Sequence, residues 1–187
     1  MISNLKGRVA YIFSGENFDV DEIVGIQNLA ASSDPAKLVP LMMKEFDPDF
    51  TQKVRPGDVI VGGVNFGYGH PHYPAMETMR RLGIAGVIAE SFAPTFWSIE
   101  IAAGFPLISC PGILGLVDRW DELAVDWDAK TLENRTRGRS LPIGSMSRRD
   151  LGILNAGGVV AHLKREMGLD PTADSHRISR IKTGDMS

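Results

Sequence analysis

The chain has 187 residues, of which 43% are hydrophobic and 23% are charged, and its formal net charge is −3. These values exclude a disordered chain and predict a single domain over 1–187, with an ordered core over about 7–168 and a polar tail over 170–187. The small negative charge argues against partners such as nucleic acid or anionic membranes, which require a basic face. No apolar run is long enough for a signal peptide or a membrane span, so we expect a cytoplasmic protein.

The first half of the chain contains strand and helix patterns in alternation. We predict strands at Arg8–Phe13 and Val59–Gly63, a helix that begins at Asp34-Pro35, and a second helix at Ala75–Leu82. The first of these helices presents an apolar face made of Leu38, Leu41, Met42 and Phe46.

The second half continues this pattern and then changes character. We predict strands at Ala85–Ala89 and Pro106–Cys110, a helix at Pro94–Ala103, an edge strand at Glu122–Trp127, a hairpin over 128–139 and a final helix at Asp150–Met167 interrupted by Gly157-Gly158. The βα repeats predict an α/β domain with a small, mostly parallel sheet flanked by helices, followed by a C-terminal antiparallel hairpin and helix.

The loop between the second strand and its helix is the best candidate for a functional site. Gly67, Tyr68 and Gly69 precede a His-Pro-His-Tyr run in which His70, His72 and Tyr73 can exchange protons or bind a ligand. Glycines allow successive N–H groups to hold an anion such as a carboxylate, and loops after parallel strands are common ligand sites.

Purely structural roles are also possible for these residues and for other candidates. A loop rich in Gly and Pro is usually a turn, and two histidines without a nearby acid or cysteine are too few ligands for a metal. Asp19 and Asp21 have the spacing of a solvated turn or a helix cap. The single cysteine, Cys110, is expected to be a buried apolar residue, and it cannot hold an iron–sulfur cluster alone.

The order of the segments nevertheless resembles the small subunit of 3-isopropylmalate dehydratase, the swivelling β/β/α-type domain of the aconitase superfamily. The resemblance covers about residues 7–166 and rests on short segments in a characteristic order. The most informative are Asn17-Phe-Asp-Val-Asp-Glu-Ile-Val24, Val54-Arg-Pro-Gly-Asp-Val-Ile-Val61, Asn65-Phe-Gly-Tyr-Gly69, Gly86-Val-Ile-Ala-Glu-Ser-Phe-Ala93 and Leu154-Asn-Ala-Gly-Gly-Val-Val160.

The resemblance implies a partner, a reaction and a set of site residues. Family members remove and re-add water on a hydroxy acid, together with a separate large subunit that holds a [4Fe–4S] cluster, so none is expected in this chain. In the family, a Gly-x-Gly-Ser-Ser-Arg loop supplies a serine base and an arginine that clamps a substrate carboxylate. Asp21 matches the acidic position of the first loop, and Ser91 matches the serine of the Ser-Phe-Ala segment.

Several positions depart from the family pattern. His70, Pro71 and His72 replace Ser-Ser-Arg, and Gln27 and Pro94 stand at two further arginine positions. Each lost arginine–carboxylate contact removes roughly 1.5–3 kcal/mol of charge-assisted hydrogen bonding. These changes predict an altered substrate, with His70 and Asp21 as catalytic residues and with Gly67, Tyr68, Gly69, His72, Tyr73, Gln27 and Ser91 as substrate contacts.

Three functions remain open at this stage. The first is a small subunit of an aconitase-type hydro-lyase, and the second is a non-catalytic binding or regulatory relative of that subunit. The third is a stand-alone homo-oligomer that binds a small ligand. We expect Phe96 and Trp97 to be core or interface residues, and exposed aromatic side chains at these positions would permit the isolated chain to dimerise.

Overall fold

The computed structural model describes residues 4–69 and 73–170. Seven strands within these ranges form one sheet: β1 Lys6–Phe13, β2 Val59–Gly62, β3 Gly86–Ala89, β4 Leu107–Ser109, β5 Glu122–Asp126, β6 Thr131–Asn134 and β7 Arg139–Pro142. Their order across the sheet is β4-β3-β2-β1-β5-β6-β7. The pairs β1–β2, β2–β3 and β3–β4 are parallel, whereas β1–β5, β5–β6 and β6–β7 are antiparallel.

The described helices are short. They are α1 Ile26–Ala31, α2 Pro35–Leu38, α3 Phe50–Lys53, α4 Tyr73–Arg81, α5 Pro94–Ala102, α6 Arg148–Ala156 and α7 Val159–Glu166. Single 3-10 turns lie at Val20–Ile23, Val39–Leu41 and Ile113–Gly115. No helix in the described part of the chain is long and apolar enough to cross a membrane.

The two faces of the parallel strands pack against different layers. One face carries Ile60 and Val87, and their core cluster also holds the buried side chains of the helices, such as Met79 and Phe96. The opposite face carries Val61 and Ile88, which share a cluster with Leu123 and Leu132 of the antiparallel strands. The sheet therefore curls until its antiparallel half covers its parallel half, and the helices cover the remaining face.

The predicted α/β class is confirmed, and so are the C-terminal hairpin of β6 and β7 and the break at Gly157, which ends α6 in a left-handed conformation. The sheet is larger than expected and half of its pairings are antiparallel, because β5–β7 continue it beyond β1. The segment at 122–127 is not an edge strand, since β5 lies between β1 and β6. The alternation of apolar and polar residues in this strand indicates that one face is buried, but it does not indicate how many strands are hydrogen-bonded to it.

The helix predicted from Asp34 is also shorter than expected. Asp34 caps α2 as predicted, because its side chain accepts a hydrogen bond from the Ala36 N–H. The helix ends at Leu38 and tightens into the 3-10 turn that contains Pro40. Proline has no N–H to continue the helical ladder, so the apolar spacing beyond it is folded in another way.

A buried carboxylate at the start of β5 anchors the antiparallel half of the sheet. Asp121 accepts hydrogen bonds from the Asp118 N–H (2.9 Å), Asn134 Nδ2 (2.8 Å) and Arg137 Nε (2.6 Å). Burial alone would raise the pKa of Asp121, but these hydrogen bonds outweigh it and hold the pKa below its ordinary value.

We expect Asp121→Asn to lower the free energy of unfolding by about 1–3 kcal/mol near neutral pH. Because the folded pKa is lowered, this contribution is complete above the pKa of an unfolded aspartate and is lost as the pH falls through the folded pKa. Urea unfolding at about pH 7 and about pH 3.5 should therefore show a smaller difference between variant and wild type at the lower pH. Asp128→Asn, at an exposed position, is the control, and equal losses for both variants would contradict the assignment.

Candidate functional site at the carboxyl ends of the parallel strands

Three loops meet at one edge of the sheet. They follow β1, β2 and β3, and their described residues are 14–25, 63–69 and 90–93. Because neighbouring parallel strands end at the same edge, their loops are brought together there, and this edge is where open α/β sheets usually bind ligands.

Two asparagines join the first loop to the second. Asn65 Nδ2 donates to Asn17 Oδ1 at 2.7 Å, and both residues have left-handed backbones, with φ of 56° and 55°. The N–H groups of Gly67 and Tyr68 both donate to the Phe18 carbonyl, at 2.9 and 3.1 Å. Sequence reasoning missed this pair, although asparagine tolerates left-handed turns better than most residues, which is a usable signal.

Ser91 connects the second loop to the third. Its Oγ accepts a hydrogen bond from the Asn65 N–H at 2.8 Å, and its carbonyl accepts from the Phe66 N–H at 3.0 Å. The Phe66 carbonyl in turn accepts from the Ala93 N–H at 2.9 Å. Ser91 therefore supports the loop, and its hydroxyl hydrogen can still be donated to a ligand.

The glycines of the second loop are required by close packing. A Cβ at Gly67 (φ +81°) would lie 2.2 Å from the ring of Phe96, and a Cβ at Gly69 (φ +93°) would lie 3.0 Å from Asp19 Oδ2. Phe96 is fully buried and Trp97 is half-buried, so the core role expected of Phe96 is confirmed and the idea that both aromatics are exposed is wrong. Phe96 forms the support of the loop, and it is not available to a second copy of the chain.

Replacement of Gly67 by alanine is expected to destabilise the fold by about 2–4 kcal/mol, because the new methyl group meets a buried ring and the backbone is left-handed. Gly115→Ala is the matched control, since a Cβ there would have no neighbour within 4 Å and the backbone φ is not positive. Chemical denaturation of both variants measures the effect. A Gly67 variant as stable as the control would show that the loop rearranges freely around Phe96.

The acidic residues of the first loop have different surroundings. Asp19 is the N-cap of the 3-10 turn, where its Oδ1 accepts from the Asp21 N–H at 3.0 Å. Asp21 itself is buried, with 4% of its surface exposed, and its carbonyl accepts from the Gly25 N–H. The expected helix-cap role thus applies to Asp19, whereas Asp21 is a buried acid within the loop.

The remaining predicted contacts that the structure describes are Tyr68 in the second loop, Tyr73 on α4 and Gln27 on α1. Tyr68 and Tyr73 are exposed, and the Tyr73 hydroxyl donates to Glu77 Oε2 at 3.3 Å. Gln27 is exposed on α1, beside a cleft of about 470 Å³ that also contains Ile26 and Leu41. His70 and His72 lie outside the described residues.

Comparison with known proteins identifies the family of the chain. No protein-family model matches the chain. The isopropylmalate/citramalate isomerase small subunit of Methanocaldococcus jannaschii is 41% identical over 89% of this chain and 98% of its own length. A 3-isopropylmalate dehydratase small subunit of Methanopyrus kandleri is 36% identical over 87% of this chain and 94% of its length. The chain belongs to the 3-isopropylmalate dehydratase small-subunit family.

A solved structure and a further relative extend the comparison. The crystal structure of 3-isopropylmalate dehydratase from Methanocaldococcus jannaschii superposes with a TM-score of 0.77 at 30% identity, and covers 88% of this chain and 95% of the other. The 2,3-dimethylmalate dehydratase small subunit of Eubacterium barkeri is 32% identical over 85% of this chain and 97% of its length. The fold expected for this small-subunit family is therefore confirmed.

The residues of this chain do not provide the ligands that an iron–sulfur cluster needs. Cys110 is fully buried, and burial raises the pKa of its thiol to about 11, with a smaller contribution from the Glu90 charge. Cys110 is the single cysteine of the sequence, and one thiol cannot supply the several thiolates that an iron–sulfur cluster requires. Within 4–69 and 73–170, no three His, Cys, Asp or Glu side chains are grouped closely enough to hold a metal ion.

Proposed function

We propose that this chain is the small subunit of a cytoplasmic hydro-lyase that dehydrates and rehydrates a small hydroxy acid, together with a separate large subunit that holds the iron–sulfur cluster. The observation that carries the proposal is its match to nearly the full length of named small subunits, at up to 41% identity. The single cysteine of the chain, which is buried, supports placing the cluster in the partner.

Within this proposal, residues of the first and second loops carry out the proton transfer. His70 takes the place of the family serine and accepts the proton next to a substrate carboxylate, because a neutral imidazole is a suitable base near pH 7. The described residue before it, Gly69, lies beside the first loop, where a Cβ on Gly69 would be 3.0 Å from Asp19 Oδ2. Asp21 orients the proton-transfer group.

The substrate contacts of the proposal come from the second and third loops, from α1 and from α4. The Gly67 and Tyr68 N–H groups already donate to the Phe18 carbonyl, so the anion-binding role expected of these two N–H groups is wrong. In the proposal, the side chains of Tyr68, Tyr73 and His72 hold the acid group, and Ser91 donates its hydroxyl hydrogen. Gln27, next to Ile26 and Leu41, contacts the remainder of the substrate.

We further propose that the substrate differs from isopropylmalate. Three family arginine positions hold His72, Gln27 and Pro94, so the site has lost cations that would pair with a second carboxylate. The names of relatives include isopropylmalate, citramalate and 2,3-dimethylmalate, which supports variation of the substrate on this fold.

Reconstitution tests the proposed function. The purified chain alone should show no turnover, whereas the chain mixed with a cluster-loaded large subunit encoded beside it should dehydrate at least one member of a panel of hydroxy monoacids and diacids. The readout is ultraviolet absorbance of the unsaturated product. A stable complex that converts no member of the panel would instead favour the non-catalytic regulatory subunit.

A further inference from the structure

A second cleft lies at the opposite end of the sheet from the loops. It has a volume of about 340 Å³ and is formed where the start of β1 meets the turn Arg55–Asp58 that precedes β2. The eight residues of β1 separate this end from the loop edge by roughly 25 Å. A molecule in this cleft therefore cannot touch a substrate held at the loops.

The cleft is positively charged although the chain as a whole is acidic. Its charged lining consists of four cationic side chains and two carboxylates: Lys6, Arg8, Arg55, Arg135, Asp58 and Glu122. The local excess is thus two positive charges, against a net charge of −3 for the whole chain. Cations gathered in a concave surface attract anions more strongly than the same charges spread over a convex surface.

One of the two carboxylates already accepts hydrogen bonds from other groups of the cleft. Asp58 is buried and accepts from Arg8 Nε at 3.0 Å, from Arg8 Nη2 at 2.7 Å and from the Arg55 N–H at 2.8 Å. The same pairing, together with the Trp120 ring at 5.0 Å, holds the Arg8 guanidinium in one orientation. Arg8 is still 26% exposed, so a rigid cation faces the cleft.

The other cations are available to a ligand. Within the described part of the chain, neither the Lys6 amino group nor the Arg55 guanidinium forms an ion pair. Among the described residues, the Arg135 guanidinium pairs with the exposed Glu133, at 3.4 Å, and exposed pairs of this kind contribute little.

The floor of the cleft is backbone. A Cβ at Gly7 would lie 2.0 Å from the Gly57 carbonyl oxygen, and Gly57 has a left-handed φ of +96°. The two glycines therefore bring β1 and the turn into direct contact within the cleft.

We infer that this cleft binds a small anion that carries two or more acidic groups, either carboxylates or phosphates, between Lys6, Arg8, Arg55 and Arg135. Its volume is that of a small-molecule site, which favours a metabolite-sized ligand over an acidic protein segment. Arg8 supplies a fixed cation, and the three exposed side chains close around the ligand. The site is independent of the proposed dehydratase activity.

Calorimetric titration of the full chain at constant ionic strength tests this inference, with pyrophosphate and propane-1,2,3-tricarboxylate as probes. We expect saturable binding of at least one probe, and the two arms distinguish a phosphate site from a carboxylate site. Lys6→Gln/Arg55→Gln should weaken the affinity by about tenfold or more. Arg148→Gln/Arg149→Gln removes the same charge from exposed positions on α6 and should leave the affinity within about twofold.

Amide chemical shifts locate the bound probe. The signals of Gly7 and Gly57 should move during the titration, and they should move much less in the Lys6→Gln/Arg55→Gln variant. Absence of saturable binding, equal weakening in the two double variants, or shifts confined to the glycine loop would each overturn the inference. These outcomes do not depend on turnover, so they separate the cleft from the proposed function.

Discussion

Replacement of His70 by alanine is expected to lower the turnover of the reconstituted complex by roughly 10²–10⁴-fold, the usual contribution of a general base. The histidine stands at the position of the family serine that takes the substrate proton, and alanine cannot accept a proton. Because the base must be neutral, wild-type turnover should rise with pH through the range in which imidazoles titrate, about pH 6–7. The residual activity of the variant should lose that pH dependence.

The matched control for this prediction is His162→Ala. His162 lies on α7, where Nε2 is 3.4 Å from Glu166 Oε1. The start of α7 packs beside Ala102 and Ala103, at the end of α5 opposite to the third loop. The His162 variant should retain wild-type turnover and the same pH profile. Full turnover in the His70 variant would remove His70 from the mechanism and assign the base to the large subunit.

The strands nearest the site could be predicted from sequence because their signal is local. Val59–Gly62 and Gly86–Ala89 are continuous apolar runs between turn residues, which is typical of strands buried on both faces, and all eight residues are buried. The order strand, loop, helix, strand then predicts that the loop after β2 lies at the carboxyl edge.

The contacts between loops could not be predicted in the same way. The hydrogen bond between Asn17 and Asn65 joins residues 48 positions apart, and the antiparallel neighbour of β1 lies more than 110 residues further along the chain. The periodicity of hydrophobic residues indicates which side of a helix or strand is buried, but it does not indicate which distant element covers that side. The salt bridge between α4 and α5 was missed for the same reason.

That salt bridge joins the helix after the glycine loop to its neighbour. Glu100 on α5 has 3% of its surface exposed and accepts a hydrogen bond from Arg80 Nη1 on α4. Arg80 also donates to Glu77 Oε2 at 3.2 Å and lies 5.4 Å from the centre of the Phe105 ring. Burial raises the pKa of Glu100, and the charge of Arg80 opposes that shift.

Replacement of Arg80 by methionine is therefore expected to destabilise the fold by about 3–5 kcal/mol near neutral pH, because it leaves a buried carboxylate without its counter-charge. The pKa of Glu100, already raised in the folded state, rises further in the variant. Between about pH 4.5 and the folded pKa, Glu100 is protonated in the folded variant and ionised in the unfolded chain. The free energy of unfolding of the variant therefore falls as the pH rises through this range. The difference from wild type should accordingly shrink on acidification.

Two further variants separate this electrostatic cost from lost packing. Arg81→Met removes an exposed arginine that pairs with Glu77 at 3.3 Å, and its loss should stay below about 1 kcal/mol at any pH. Arg80→Met/Glu100→Gln removes both charges and should recover a large part of the stability lost in the single variant, since a neutral amide is less costly to bury than an unpaired carboxylate. A loss in Arg80→Met that is independent of pH and unchanged by Glu100→Gln would assign the stabilisation to packing of Arg80 against Phe105.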